Sequence, residues 1–343
     1  MRQGLTVQRP AVLITLLALV GLLAGCGGSS SGDSSIQSVL RQFQEAKRTR
    51  KLAELKQRLQ AAKAREAAQK KIQETPASPA EPKPENLASP SGGSGLAGFS
   101  ELEETLPGQI GLAIGPPGSG PTASAGSLTI GSAWSTSKVP VAMRVLQEVG
   151  GPSGLSSSQQ DEVRRALTLS DNGAALSLFG DLEAAYGGSV GAAAAVDEVL
   201  AEAGDTTTHV SSQGRDGFTP FGQTEWSLEL QELFMSKLAA GCIGSPASTE
   251  YVLGLMGEVS SDTWGLGSAG LPARWKGGWG PGLDGRYLVR QMGVLEVGGE
   301  EAVVTLAVLP DDGSFETGQS MATSVAQFAA KLVPRFAGPT GIC

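Results

Sequence analysis

Two polar side chains one helical turn apart, Ser135 and Lys138, are the first residues in this sequence that could do chemistry. They begin a predicted helix over residues 135–149, and positions i and i+3 share one face of a helix. The hydroxyl and the amine can therefore meet, and an amine that burial keeps neutral can take the proton of a serine. The same residues also fit a helix N-cap followed by a surface lysine. The apolar run from Val139 to Met143 favours a buried lysine.

The second motif is Ser170-Asp171-Asn172, which lies between two predicted helices. A hydroxyl and an amide that face a nucleophile could pass on the proton of a leaving group and hold a substrate carbonyl. Read alone, Asp171-Asn172-Gly173 is more typical of a turn that caps the following helix.

The third motif is Lys276-Gly277-Gly278 on a predicted strand, flanked by two tryptophans. The lysine could supply positive charge to a site, and the glycines would let a substrate backbone approach closely. Read alone, this motif is only a glycine-rich strand end with a lysine.

The elements that would position these motifs form a mixed pattern. Strands are predicted at 109–114, 127–130, 274–278, 287–297 and 302–309, from apolar, β-branched runs between turn residues. Helices are predicted at 135–149, 159–168, 173–185, 190–203, 224–239 and 317–336. This order predicts an α/β (α+β) fold, with a five-stranded antiparallel sheet flanked by helices and an all-helical lobe.

Taken together, the three motifs resemble those of serine β-lactamases and penicillin-binding proteins, in particular the class A-like branch. The resemblance is carried by the strings WSTSKVPVA at 134–142, LTLSDNGAAL at 167–176 and LAEAGDTTT at 200–208. It extends over about residues 100–338.

The resemblance implies a role for each site residue. Ser135 would be the acylated nucleophile, Lys138 its general base and Ser170 a proton relay. The substrate would be bound by Asn172, Lys276, Gly278 and Trp279. The backbone N–H groups of Ser135 and Trp279 would form the oxyanion hole. The implied activity is a serine hydrolase that acts on a β-lactam or on cell-wall peptide-like amides, with no cofactor.

Two departures from the family pattern leave a second interpretation open. Gly277 lacks the hydroxyl that the family places there to bind a substrate carboxylate, and residues 209–220 contain no glutamate to activate a hydrolytic water. We therefore expect poor deacylation. The alternative is a catalytically degenerate protein that binds a cell-envelope ligand or a partner. The sequence also leaves open whether Arg286 or Arg290 assists carboxylate binding.

Charge and ligand content exclude other classes of function. Residues 96–343 hold 12 basic against 27 acidic residues, so we expect no nucleic acid partner, because binding a polyanion needs a basic face. The single histidine, His209, lies in a predicted exposed loop. No metal site is expected, because the carboxylates are scattered and the ligands do not cluster.

The N-terminal residues predict export and a lipid anchor. Arg2 and Arg9 precede an apolar run over residues 11–24, which is of signal-peptide length. Leu-Ala-Gly-Cys26 resembles a bacterial lipobox, which implies a signal peptide over 1–25 and acylation of Cys26. The protein is therefore expected to be extracytoplasmic and held on the cell membrane by lipid. An ordinary signal peptide or an uncleaved anchor are the alternatives.

The segments between this anchor and the folded domain differ in composition. Residues 26–35 predict a flexible spacer, and 36–74 predict a cationic helical stalk. That helix could also form a short coiled coil, or lie on anionic lipid or wall polymer. Residues 75–99 predict a Pro/Ser/Gly-rich linker. The hydrolase domain is expected over 100–343.

Cys242 and Cys343 are the remaining cysteines. Two cysteines in an exported protein more often pair than react, because oxidising compartments favour disulfides. We expect them to form a bridge that fastens the chain end to a helical segment.

Overall fold

The computed structural model describes residues 96–215, 217–338 and 343. The predicted signal peptide, Cys26, the spacer, the stalk over 36–74 and the linker up to residue 95 lie outside these residues. The folded part includes Leu96 and Phe99, which are buried slightly before the predicted domain start. In the described ranges, no helix has the length and apolar character needed to cross a bilayer.

The described residues include seven strands in two sheets. They are β1 (Gly108–Gly115), β2 (Ala123–Gly126), β3 (Ile130–Ser132), β4 (Glu225–Ser227), β5 (Ala273–Pro281), β6 (Tyr287–Val297) and β7 (Glu300–Pro310). Five of them form an antiparallel sheet in the order β2-β1-β7-β6-β5, and β3 pairs only with β4. The predicted five-stranded antiparallel sheet is confirmed, and β5, which carries the third motif, forms one of its edges.

In the part of the chain that the structure describes, eight α-helices accompany the sheets. They are α1 (Phe99–Thr105), α2 (Lys138–Glu148), α3 (Ser157–Thr168), α4 (Asn172–Tyr186), α5 (Ser189–Glu202), α6 (Leu228–Ala239), α7 (Pro246–Met256) and α8 (Phe315–Phe336). Most of the helices between α2 and α7 build the predicted helical lobe. The long α8 packs against the other face of the sheet.

The large sheet is covered on both faces, so most side chains of its central strands β6 and β7 are buried. Side chains alternate across a strand, and in β7 Val304, Leu306 and Val308 belong to the core under α8. Val303 on β7 and Met292 on β6 instead join the core shared with the helical lobe. The site therefore lies where this second core meets the sheet edge.

Two predicted elements need correction. The second sheet strand is Ala123–Gly126 rather than 127–130, and the chain leaves the sheet at Gly126, whose φ is 106°. The predicted helix at 224–239 begins only at Leu228. Its first residues are extended as β4, where they pair with Ile130–Ser132. Two helices, Phe99–Thr105 and Pro246–Met256, were not predicted.

Cys242, in the loop after α6, forms a disulfide with Cys343, and their Cα atoms are 5.4 Å apart. The bridge attaches the chain end to the helical lobe across a sequence separation of 101 residues.

Candidate active site

Ser135 lies on a tight 3-10 turn, Trp134–Ser137, directly before α2. The hydroxyl of Ser137 donates to the carbonyl of Trp134 at 2.6 Å, and that of Thr136 donates to the carbonyl of Ala133. Trp134 has a φ of 49°, a left-handed conformation that costs free energy in a non-glycine residue. The turn is thus held in a strained conformation, and it leaves the side chain of Ser135 half-exposed in a cleft.

Lys138 is almost completely buried at the start of α2. Its amine donates to the backbone carbonyl and the hydroxyl of Ser170, the latter at 3.3 Å, and to Oδ1 of Asn172 at 2.8 Å. Among the described residues, the hydroxyl of Ser135 makes no hydrogen bond to this amine. The first two motifs therefore meet through Lys138 and Ser170.

Ser170 is placed by the junction between α3 and α4. Its φ of 55° makes it, with Trp134, one of two described non-glycine residues with positive φ. Next to it, Asp171 caps α4 by accepting from the N–H groups of Gly173 and Ala174, and its other oxygen binds Arg165. These hydrogen bonds lower the pKa of Asp171. Asp171 therefore holds the loop in place, and Ser170 and Asn172 face the lysine.

Lys276 reaches the same hydroxyl from the sheet. It is fully buried, and its amine donates to Oγ of Ser170 at 2.9 Å and to the carbonyl of Gly277 at 2.8 Å. Two amines, from α2 and from β5, thus converge on one serine hydroxyl.

The pKa values of these amines are lowered by their surroundings. Burial, and then repulsion by Lys276, lowers the pKa of Lys138 to about 6, against opposing attraction from Asp171 and Asp262. Burial lowers the pKa of Lys276 to about 8, and Asp262 opposes this shift. The uncharged form of Lys138 is therefore accessible near neutral pH, and Lys276 keeps its charge more readily than Lys138 does.

Gly278 sets the distance between β5 and the turn that carries Ser135. A β-carbon at this position would lie 2.8 Å from both the carbonyl oxygen of Ala133 and the backbone nitrogen of Ser135. Only glycine lets the strand approach this closely. Gly280 has the same role, because a β-carbon there would lie 2.6 Å from the ring of Trp134.

The cleft beside Ser135 is small, and aromatic rings form part of its lining. Its volume is about 180 Å³, and Ser135 and Asn172 lie in its wall together with Trp134, Phe218, Trp279 and Tyr287. Among the described residues that line it, none carries a formal charge. Trp279 is held in place by stacking on Phe315, with ring centroids 5.3 Å apart. The cleft is below the roughly 300–1,000 Å³ of usual ligand pockets, which limits the substrate groups that it can hold.

Sequence reasoning missed one residue of the site, Asp262. It is 1 % exposed, its Oδ1 accepts from the hydroxyl of Ser261 at 2.8 Å, and its Oδ2 has no hydrogen-bond partner. A β-carbon on Gly277 would overlap that Oδ2 atom. Asp262 lies in a loop 14 residues before Lys276 in the sequence, and no motif marks it. Because Gly277 has no side chain, the carboxylate of Asp262 can occupy the space beside it.

Neither arginine considered for carboxylate binding lines the cleft. Arg290 is buried, and it donates to Gln231 and to the carbonyls of Gly131 and Trp226. Arg286 is paired with Asp284 in the turn between β5 and β6. Arg290 is therefore a structural cation of the core.

Two other ionisable residues, His209 and Glu225, are not among the residues that line this cleft. The exposed ring of His209 contacts Asp197 at 3.2 Å, and the exposed Glu225 accepts from the hydroxyl of Ser132. The described ranges contain no cluster of three or more residues that could hold a metal ion.

No protein-family model matches this sequence, and no curated protein matches it. Solved structures do match. An ancestral class A β-lactamase of Gram-negative bacteria is 20% identical, with a TM-score of 0.53, over 68% of this chain and 97% of that one. The TLA-3 extended-spectrum β-lactamase is 13% identical, with a TM-score of 0.57, over 69% and 98% of the two chains.

A β-lactamase from Sphaerobacter thermophilus is 18% identical, with a TM-score of 0.53, over 70% of this chain and 97% of that one. These matches establish that this chain has the serine β-lactamase and penicillin-binding protein-like fold. The predicted resemblance in fold is thereby confirmed.

Proposed function

We propose that this protein, which has the serine β-lactamase-like fold, is a serine hydrolase that forms an acyl-enzyme on Ser135. The observation that carries the proposal is the buried amine of Lys138, one turn after Ser135 and with its pKa lowered to about 6. An uncharged amine in that position can act as a general base at neutral pH. Its proposed substrates are β-lactams or cell-wall peptide-like amides.

The reaction proceeds in two steps, acylation of Ser135 and hydrolysis of the resulting ester. Oγ of Ser135 attacks the substrate carbonyl carbon as its proton passes to Nζ of Lys138. The tetrahedral intermediate collapses by breaking the bond between carbon and the leaving group, and the leaving atom receives a proton through Ser170. Water then cleaves the ester on Ser135 to release the acid. Backbone N–H groups of Ser135 and Trp279 stabilise the oxyanion in both steps.

The second step is proposed to be slow. No carboxylate is among the described residues that line the cleft, and the segment over 209–220 supplies no glutamate as a base. Among the described residues, Lys138 is then the base that can activate the hydrolytic water, so that the acyl-enzyme accumulates.

Intact-mass analysis after exposure to a fluorophosphonate tests the nucleophile. Wild type should gain one adduct per chain, and Ser135→Ala should gain none. Ser320→Ala removes an exposed hydroxyl on α8 and should label like wild type. Equal labelling of Ser135→Ala would refute the proposal.

A catalytically degenerate binding protein is the second candidate. It is favoured by the hydrogen bonds of the Lys138 amine, which go to Ser170 and Asn172. This candidate predicts saturable binding of a cell-wall peptide that survives Ser135→Ala and Lys138→Ala, with no turnover. Binding that disappears with the Ser135 hydroxyl would count against it.

We also propose that Cys26 carries a lipid that anchors the protein to the outer face of the cell membrane. The lipobox-like sequence before Cys26 supports this. Cys26→Ser should abolish incorporation of radiolabelled palmitate and move the protein into the soluble fraction, whereas Ser30→Ala should change neither. Deleting residues 36–74 tests the stalk: loss of surface retention with Cys26 intact would make it an adhesion element rather than a spacer.

A further inference from the structure

The guanidinium group of Arg215 packs against the wall of the cleft beside Ser135. Its Cζ atom lies 4.8 Å from the ring centroid of Phe218 and 5.5 Å from that of Trp134, and the group donates to the carbonyl of Pro281. All three of these residues line the cleft. Arg215 is therefore held at the cleft by its contacts.

Part of this guanidinium group has no partner. Its Nε donates to Oε1 of Gln223 at 2.8 Å and its Nη2 to Pro281, but within the described ranges Nη1 makes no hydrogen bond and no carboxylate pairs with the side chain. Stacking on aromatic rings occupies the face of the group, whereas its N–H donors point from the edge, where a carboxylate can bind. The side chain is only half-buried and keeps solvent access.

The charge of the whole domain does not attract anions to the cleft. Residues 96–343 hold 12 basic against 27 acidic residues. Arg290 donates to acceptors of the core, and Arg286 pairs with Asp284. Attraction of an anion must therefore come from a local cation, and Arg215 is placed to supply it.

The strand β5 passes Ser135 between two cations. A β-carbon on Gly278 would lie 2.8 Å from the backbone nitrogen of Ser135, so the strand is closest to the proposed nucleophile at this point. Lys276 precedes Gly278 by two residues, and Pro281, which accepts from Arg215, follows it by three. At about 3.3 Å per residue, the two cations therefore flank Ser135 along the strand.

The proposed reaction assigns each of these two sides to one part of the substrate. The leaving atom receives its proton through Ser170, whose hydroxyl accepts from Lys276 at 2.9 Å, so the leaving group lies on the side of Lys276. The acyl part then extends the other way along the cleft wall, past Gly280 and Pro281. This direction leads to Arg215.

We infer that Arg215 binds an anionic group on the acyl side of the substrate, so that the site favours amides or β-lactams whose acyl part carries a carboxylate. The inference rests on the proposed function and names the substrate class of the same site. Arg215 is a specificity-determining residue, and Gln223, which accepts from its Nε, positions it.

Two penicillins that differ by one acyl-side carboxylate test the inference. They are benzylpenicillin and carbenicillin, in which a carboxylate replaces one hydrogen of the benzylic carbon. Acylation of Ser135 is followed by intact mass at pH 7, and each rate is divided by the rate at which hydroxide opens that penicillin. Wild type should favour carbenicillin by about fivefold to tenfold, as expected for a charge-assisted hydrogen bond that is partly exposed. Salt at about 1 M should reduce this preference.

Arg215→Gln should remove the preference for carbenicillin, and Arg215→Lys, which keeps the charge, should retain part of it. A purely structural role of Arg215 would slow both penicillins alike and leave the ratio of their rates unchanged. Arg164→Gln makes the same change at an exposed position of α3 and should keep the wild-type ratio.

The outcomes separate failure of the inference from failure of the proposed function. Suppose that a fluorophosphonate labels Ser135. The inference is then overturned, while the proposed nucleophile stands, if wild type reacts with neither penicillin or does not favour carbenicillin, or if Arg215→Gln keeps the wild-type ratio. If neither a penicillin nor a fluorophosphonate modifies Ser135, the proposed function fails and the inference fails with it.

Discussion

Nζ of Lys276 lies 2.9 Å from Oγ of Ser170, although 106 residues separate them in the sequence. The same oxygen also accepts from Lys138. A serine hydroxyl has two acceptor lone pairs and one proton to donate. With both lone pairs engaged by amines, the proton of Ser170 points away from Lys138 and Lys276. It is then available for donation to a leaving group in the cleft.

The acylation rate should depend on pH through both lysines. Lys138 is a base only when uncharged, so the rate should rise as pH increases through about 6. It should fall again through about 8, where Lys276 loses the charge with which it holds Ser170. Rates of fluorophosphonate labelling between pH 5 and 9.5, corrected for reagent hydrolysis, would test this bell-shaped profile.

Removing the charge of Lys276 should shift the ascending limb of the pH–rate profile. Repulsion by Lys276 is one cause of the lowered pKa of Lys138, so Lys276→Met should raise that pKa and shift the limb to higher pH. Lys331→Met removes an exposed lysine from α8 and should leave the profile unchanged. A limb that stays in place in Lys276→Met would mean that the two amines do not interact.

Gly278→Ala should increase the distance between β5 and Ser135. The new methyl group would lie 2.8 Å from the backbone of Ala133 and Ser135, so the strand or the turn must move. Overpacking of this kind costs about 1–3 kcal/mol of stability, and we expect labelling of Ser135 to fall by about 100-fold, since small misplacements have effects of that size. Urea denaturation and labelling rates measure the two effects.

Gly180→Ala is the matched control. A β-carbon on Gly180 in the middle of α4 meets no atom within 4 Å. Alanine should therefore stabilise the helix by about 0.5–1 kcal/mol and leave labelling unchanged. Equal labelling rates in Gly278→Ala and Gly180→Ala would show that close approach of β5 is not needed.

The elements that the sequence could predict are those with local signals. Ser135, Lys138 and Ser170 lie in short motifs that the sequence shows. Their spacing predicted contact between Ser135 and Lys138, whereas the amine of Lys138 bonds to Ser170 and Asn172. Asp262 had no such signal, because its role comes from the empty space at Gly277, which only the packing of a distant loop against β5 reveals.

The strand predicted at 127–130 was wrong for a similar reason. The chain turns out of the large sheet at Gly126, and of the predicted residues only Ile130 lies in a strand, where it pairs with β4. The buried role of Arg290 was likewise hidden, because its acceptors come from β3, β4 and α6. Such contacts between distant segments leave no local pattern.

Glu232 should make stability depend on pH. Its carboxyl group is buried on α6 without a hydrogen-bond partner, and burial raises its pKa well above the usual value. The folded state therefore holds a proton that the unfolded state loses, so stability is full below the unfolded pKa and declines as pH rises. The slope is at most about 1.4 kcal/mol per pH unit for one group.

Glu232→Gln removes this titration and should flatten the profile, with the largest gain over wild type at neutral and higher pH. Urea denaturation at several pH values between 4 and 8 measures it. Glu250→Gln changes an exposed glutamate on α7 and should follow wild type. A Glu232→Gln profile parallel to that of wild type would mean that the carboxyl group is not buried as described.

Loss of the disulfide should destabilise the domain. The bridge between Cys242 and Cys343 closes a long loop, and removing such a link typically costs about 2–5 kcal/mol. Cys343→Ser should therefore unfold at lower urea concentration than wild type. Dithiothreitol should lower the stability of wild type to that of Cys343→Ser, and it should leave the stability of Cys343→Ser unchanged. If dithiothreitol does not change the stability of wild type, the pairing is contradicted.

The most direct test of the account is the rate at which Ser135 is modified when Lys138 is replaced by arginine. Lys138→Arg keeps hydrogen-bond donors next to Ser170 but supplies no group that can accept a proton. Peptide-level mass spectrometry after fluorophosphonate treatment at pH 7 should locate the wild-type adduct on Ser135. In Lys138→Arg its formation should be slower by about 10²–10⁴-fold, the usual contribution of a general base. An unchanged rate, or an adduct on another residue, would contradict the account.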